Sequence, residues 1–99
     1  NFDTRNVDDM GSMFEYCKKI TSINVGSFDT SKVIDISKMF SNCENLKSVN
    51  VKNFNTENAR DIASMFKDCH SLTSLDLSNF KTENVERMYY MFQNCNKLK

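Results

Sequence analysis

Four cysteines and one histidine are the residues of this chain best suited to chemistry, so their spacing is the first question. Cys17, Cys43, Cys69 and Cys95 each stand 26 residues apart, and His70 directly follows Cys69. Structural zinc takes ligands in close pairs that converge on a tetrahedron, with Zn–S near ~2.3 Å. One thiol every 26 residues makes a line instead. The positions equivalent to His70 hold Lys18, Glu44 and Asn96, which marks a variable, outward site. Disulfides are compatible with the even count. Strands ~4.8 Å apart also fall within the bridgeable Cα range of ~4.4–6.8 Å. Free Cys, however, is a small and readily buried hydrophobe, and a column of buried thiols is the preferred reading. Nucleophilic catalysis needs Cys and His within hydrogen-bond reach, yet adjacent inward and outward residues point apart. The sequence holds no glycine-rich phosphate loop, no H-E-x-x-H and no G-x-S-x-G. Asp8, Asp9, Asp35, Asp61 and Glu86 read as a solvated face with Lys38, Arg60 and Arg87 nearby. The Met columns read as core filler rather than a sulfur ligand set. No enzyme activity, catalytic residue, cofactor or metal is therefore expected.

Composition narrows the partners. The 13 basic residues balance the 13 acidic ones, so the surplus that nucleic acid or an anionic membrane requires is missing. No apolar run approaches the ~18–20 residues of a membrane span, and direct insertion is not expected. There is no Pro, and the glycines are Gly11 and Gly26, so turns must be built from Asn, Asp and Ser. The 99 residues open at Asn1 without an initiator Met and stop at Lys99 inside a repeat. They read as a piece of a longer protein, truncated at both ends, whose targeting signals would lie elsewhere.

The elements that position these residues follow from the same 26-residue step. Met-Phe pairs recur at Met13-Phe14, Met39-Phe40, Met65-Phe66 and Met91-Phe92. A second Phe recurs at Phe2, Phe28, Phe54 and Phe80, with Thr4, Thr30, Thr56 and Thr82 two residues later. All eight Phe lie on these two columns, which places units at about 2–27, 28–53, 54–79 and 80–99 of a single domain. Within a unit, Val33, Ile36, Phe40 and Cys43 are spaced 3, 4 and 3, one face of a short helix. Thr30 and Thr56, or the residues just after them, are candidate N-caps. Asn42, Asp68 and Asn94 are candidate left-handed residues at the helix end. Alternation then marks a short strand in Ile20–Val25, Leu46–Val51 and Leu72–Leu77. One such unit cannot bury its apolar side alone, so units must stack. The expected fold is an α/β repeat solenoid of leucine-rich-repeat type, with a parallel sheet on the concave side and short helices on the convex side. Its uncapped ends should expose core and allow self-association.

The run M-F-x-x-C-x-x-L-x-S-L-x-L-x-x-F-x-T, carried by Met39–Thr56 and Met65–Thr82, resembles the BspA-like leucine-rich repeat. Ser27–Phe40 is similar to the subgroup found in mycoplasma-type lipoproteins, with Ile36 in place of the first Met; Ala59 departs from the usual Val. The resemblance implies a cell-surface or secreted protein, and adhesion to host-cell or extracellular-matrix proteins. It implies no shared catalytic residue. The expected role is thus a protein-binding scaffold, or alternatively a structural spacer presenting other domains. In such a stack the outward strand residues Ser22, Asn24, Ser48, Asn50, Ser74 and Asp76 are the candidate contact surface, with Lys47 and Lys52 at its margins. On the opposite side Tyr89, Tyr90 and Ile34 break the otherwise polar pattern.

Overall fold

The computed structural model describes residues 9–26 and 28–98. Phe2, Thr4, Asp8 and Ser27, used above, lie outside the described residues. Among the described residues there are two short strands, β1 (Ser22–Ile23) and β2 (Ser48–Val49), and the strand expected over Leu72–Leu77 does not form. They pair in parallel, Ser22 opposite Ser48 and Ile23 opposite Val49, a step of one repeat. A second parallel line runs through isolated bridges from Asp9 to Asp35, Asp35 to Asp61 and Asp61 to Arg87. Parallel partners need a long crossover between them, and here the crossover is the remainder of each 26-residue unit.

The short helices expected over Val33–Cys43 and its counterparts are not present among the described residues. Each such segment is a run of tight turns. Met13 N–H donates to Met10 C=O at 3.3 Å, Glu15 N–H to Ser12 C=O at 3.1 Å and Cys17 N–H to Phe14 C=O at 3.2 Å. The intervening N–H groups reach across to the next unit: Met10, Ser12, Phe14 and Tyr16 donate to Asp35, Ser37, Met39 and Ser41 at 2.8–2.9 Å. The pattern repeats from Ile36, Lys38, Phe40 and Asn42 to Asp61, Ala63, Met65 and Lys67. It repeats again from Ile62, Ser64, Phe66 and Asp68 to Arg87, Tyr89, Met91 and Gln93. Buried backbone groups must find partners, and this alternation satisfies them without an i→i−4 ladder.

The reason a helix cannot propagate is visible in the backbone angles. Two positions per unit are left-handed: Ser12, Lys38, Ser64 and Tyr90 at φ 58–61°, and Tyr16, Asn42, Asp68 and Asn94 at φ 61–66°. They stand four residues apart, so no right-handed turn continues between them. Positive φ at the third residue of a hydrogen-bonded turn is the type II signature. The sequence expectation that Asn42, Asp68 and Asn94 adopt this conformation therefore matches the structure, although each ends a turn and not a helix.

The threonines also differ from their expected capping role. Thr30 Oγ1 accepts from Asn55 N–H at 2.7 Å and donates to Asn55 C=O at 3.2 Å. Thr56 does the same with Lys81 at 2.7 and 3.0 Å. Both are buried and fasten one unit to the next rather than cap a helix. Asn79 Nδ2 adds a clamp on the carbonyls of Val51, Lys52 and Phe54, as Asn53 Nδ2 does on Val25, Gly26 and Phe28.

The core is the set of repeat columns turned inward. Phe14, Phe40, Phe66 and Phe92 form a ladder of near-parallel rings, with successive centroids 5.6, 5.3 and 6.1 Å apart. Phe28 stacks against Phe14 at 6.1 Å. Met39, Met65, Leu46, Leu72, Val25 and Val51 fill the remaining interior.

Candidate functional site

The six strand-side residues singled out from the sequence are all exposed and share one side of the molecule. Ser22 and Ser48 stand opposite one another in the parallel pair. The Asx residues two positions on do more than face solvent. Asn24 Oδ1 accepts from Gly26 N–H at 2.9 Å, Asn50 Oδ1 from Lys52 N–H at 3.0 Å and Asp76 Oδ1 from Ser78 N–H at 2.9 Å. Each closes an Asx turn, after a strand at Asn24 and Asn50 but not at Asp76, in a sequence with little glycine. Hydrogen bonds from the Ser78 hydroxyl and backbone N–H, helped by the nearby Lys52, hold the Asp76 carboxyl below the usual carboxylate range. Lys52 Nζ lies 3.7 Å from Asp76.

Two shallow concavities open on this side, one repeat apart. The first, about 320 Å³, is lined by Ser48, Val49, Asn50, Val51, Lys52, Ser74, Leu75 and Asp76. The second, about 220 Å³, is lined by Ile23, Asn24, Val25, Gly26, Asn50, Lys52 and Asn53.

Three of the thiols and the acidic column serve the framework. All four cysteines are free. Cys43 Sγ donates to Phe14 C=O at 3.1 Å, Cys69 Sγ to Phe40 C=O at 3.1 Å and Cys95 Sγ to Phe66 C=O at 2.9 Å. Burial pushes the Cys43 thiol up to about 11 and Cys69 to about 12, and raises Cys95 in the same direction. Such thiols are poor nucleophiles, because the thiolate is the reactive form. Asp9, Asp35 and Asp61 accept from the N–H of Gly11, Ser37 and Ala63 at 2.8–3.0 Å, so the acidic column serves turn closure. His70 is exposed, 4.0 Å from Asp68. Among the described residues no group of three or more His, Cys, Asp or Glu could hold a metal ion, and no helix is long and apolar enough to cross a membrane.

Elsewhere, Ile34 is exposed beside a concavity of about 380 Å³ that also involves Lys32, Asn58, Arg60 and Asn84. Tyr89 and Tyr90 are exposed and meet edge to face at 5.3 Å, with Lys67 Nζ 5.9 Å from the Tyr90 ring. A further apolar groove of about 400 Å³ opens on the last unit, between Ile62, Leu77, Phe80, Thr82, Met88, Met91 and Phe92. Phe80, Thr82 and Phe92 stand here on columns whose members Phe28 and Phe54, Thr30 and Thr56, Phe40 and Phe66 are buried.

Comparison with curated proteins finds no match to this chain. Comparison with solved structures finds none either. Comparison with protein families matches residues 1–99, and the chain belongs to the family described as "Mycoplasma protein of unknown function, DUF285".

Proposed function

We propose that this chain is a repeat scaffold of a cell-surface or secreted protein, and that it binds another protein through the face carrying Ser22, Asn24, Ser48, Asn50, Ser74 and Asp76. The observation that carries this reading is the exposure of all six residues, five of which line two concavities one repeat apart. Inter-unit hydrogen bonds at a constant step support a leucine-rich-repeat-like solenoid in which turns take the place of helices. The membership in a Mycoplasma family supports the finer resemblance to BspA-like, mycoplasma-lipoprotein-type repeats. Adhesion to a host-cell or extracellular-matrix protein then follows from that resemblance. Affinity would arise from shape and distributed polar contacts, since the face offers no exposed aromatic anchor of the kind that dominates hot spots. Its balanced charge favours a protein partner over nucleic acid.

The test is retention of the chain on immobilised matrix proteins and on host cells. Ser48→Arg and Ser74→Arg introduce bulk on the face without removing an Asx turn, and should weaken retention while leaving the thermal melt unchanged. Equal retention by the variants would move the contact elsewhere. A second reading, a structural spacer presenting other domains, is favoured by the engagement of Asn24, Asn50 and Asp76 oxygens in turn closure. It predicts no retention on any surface, with the same variants fully folded.

A further inference from the structure

The concavity beside Ile34, about 380 Å³, is lined by two cations, Lys32 and Arg60, and two amides, Asn58 and Asn84. Among the described residues no carboxylate lines it, in a chain whose acidic and basic residues balance. It shares no residue with the Ser and Asx face. Three successive units build it, and the column that carries Ile34 and Arg60 continues to Glu86.

The frame beneath these side chains is held by hydrogen bonds. Ile34 C=O accepts from Arg60 N–H at 2.8 Å and from Asp61 N–H at 3.2 Å. Arg60 C=O accepts in turn from Glu86 and Arg87 N–H at 2.7 and 3.0 Å. Asn58 Nδ2 donates to Ser31 C=O and Asn84 Nδ2 to Glu57 C=O, both at 2.8 Å. A carboxamide carries two N–H groups and an acceptor oxygen, so one N–H orients each side chain.

Arg60 differs from the cations that join units. Lys18 pairs with Glu44 at 3.6 Å, Lys52 with Asp76 at 3.7 Å and Arg87 with Asp61 at 4.0 Å. Among the described residues no carboxylate lies within that range of the Arg60 guanidinium, although Glu86 follows it in its column. A guanidinium is a planar, weakly hydrated fork that matches a carboxylate. Ile34, 46% exposed, sets an apolar surface next to it. A bare anion would gain from the fork alone, whereas a carboxylate with hydrocarbon attached would also bury apolar surface.

We propose that this concavity binds a carboxylate carried on a short apolar stem. The carboxylate sits on the Arg60 fork with Lys32 adding positive charge, and the stem lies on Ile34 between the two amides. Two sources share that chemistry: a free short-chain acid and the C-terminal residue of a peptide.

Nuclear magnetic resonance titration of the isotope-labelled 99-residue chain tests this, with Arg60 Nε–H and the Asn58 and Asn84 side-chain amides as reporters. Isovalerate stands for the free acid and N-acetyl-leucine for the peptide end. At least one of them should shift all three reporters saturably and at lower concentration than acetate; neutral isovaleramide should not. Tighter binding of isovalerate identifies the free acid, and tighter binding of N-acetyl-leucine the peptide end. Arg60→Gln should weaken binding about tenfold or more, as expected for hydrogen bonds to a charged group. Ile34→Ser, in a column that already holds Arg60 and Glu86, should reduce the tighter ligand to the level of acetate. Absence of a saturable shift overturns the proposal. So does binding of isovaleramide or acetate equal to that of both carboxylates, or binding that survives Arg60→Gln. Thermal melts check that the variants fold. If Arg60→Gln does not, Arg60→Lys, which retains the charge and loses the fork, carries the same comparison.

Discussion

Units 28–53 and 54–79 hold the same columns as unit 80–98, yet their interiors differ sharply. Phe40 and Phe66 are fully buried, while Phe92, in the same column, is 43% exposed. Cys43 and Cys69 are buried, while Cys95 is half-buried. Thr30 and Thr56 are buried and doubly bonded to the following unit, whereas Thr82 is exposed. The residue types are the same, so burial is supplied by the neighbouring unit and not by the unit's own sequence. Stability in such a molecule should therefore be graded by position, with each unit contributing through its interfaces.

The largest test of that gradient is truncation of the ring ladder. Phe66 stacks on Phe40 at 5.3 Å and on Phe92 at 6.1 Å, so Phe66→Ala removes ring contacts on both sides. It should cost about 3–5 kcal/mol, the range for buried Phe truncations. Phe92→Ala should cost under ~1.5 kcal/mol, because much of that ring is already in water. Urea unfolding of both measures the difference, and equal losses would break the comparison.

Alkaline titration comes next. Cys43 and Cys69 have folded-state values of about 11 and about 12, raised from 9.0 chiefly by burial. A thiol whose pKa is raised on folding stabilises fully below the unfolded value, and that stabilisation is lost as pH rises through the folded value. The melting temperature should thus fall steadily between about pH 9 and 12. Cys69→Ala should flatten the fall. An unchanged slope in that variant would mean that the buried thiols are not its source. In the native state at neutral pH, Cys43 and Cys69 should react with a thiol reagent more slowly than Cys17 and Cys95, and all four should react once unfolded.

These contrasts also show what was legible in the sequence. The 26-residue step and the inward columns were readable, because Phe, Met and Cys recur without a gap and only stacking makes use of that. The left-handed residues at Asn42, Asp68 and Asn94 were readable, because Asn and Asp tolerate that conformation. The partner column of Ser12, Lys38, Ser64 and Tyr90 was not, since none of these types announces positive φ. Missing that column is why Val33, Ile36, Phe40 and Cys43 read as a helix face: consecutive turns bring the same positions inward. The exposure of all six candidate contact residues was legible from the alternation, but only Ser22 and Ser48 lie in strands, and the strand expected over Leu72–Leu77 does not form. The Asx turns formed by Asn24, Asn50 and Asp76 were not legible, because alternation reports which side a residue takes and not which backbone group it bonds.

A smaller effect separates the inner and outer threonines. Thr56→Val keeps the shape but strands the Lys81 N–H and C=O that the hydroxyl serves at 2.7 and 3.0 Å. The loss should be about 1–3 kcal/mol, typical of an unsatisfied buried polar group. Thr82→Val, at an exposed position, should fall within ~0.5 kcal/mol of wild type. If both variants lose equally, the hydroxyl acts within its own unit and the inter-unit bond contributes little.

The smallest effect runs in the opposite direction. Lys38 holds φ 58° in the middle of the molecule, where a Cβ costs roughly 1–2 kcal/mol. Glycine removes that cost but loses more conformational entropy on folding, about 0.5–1 kcal/mol. Lys38→Gly should therefore stabilise by up to about 1 kcal/mol. Asn42→Gly, four residues on at φ 62°, should gain less, because Asn bears the left-handed region more easily. Lys38→Ala is the control: it trims the same exposed side chain but retains the Cβ, so it should give no gain. Equal melting temperatures for the glycine and alanine variants would mean that the left-handed backbone at this column carries no strain, and that the turns are held by their neighbours without internal cost.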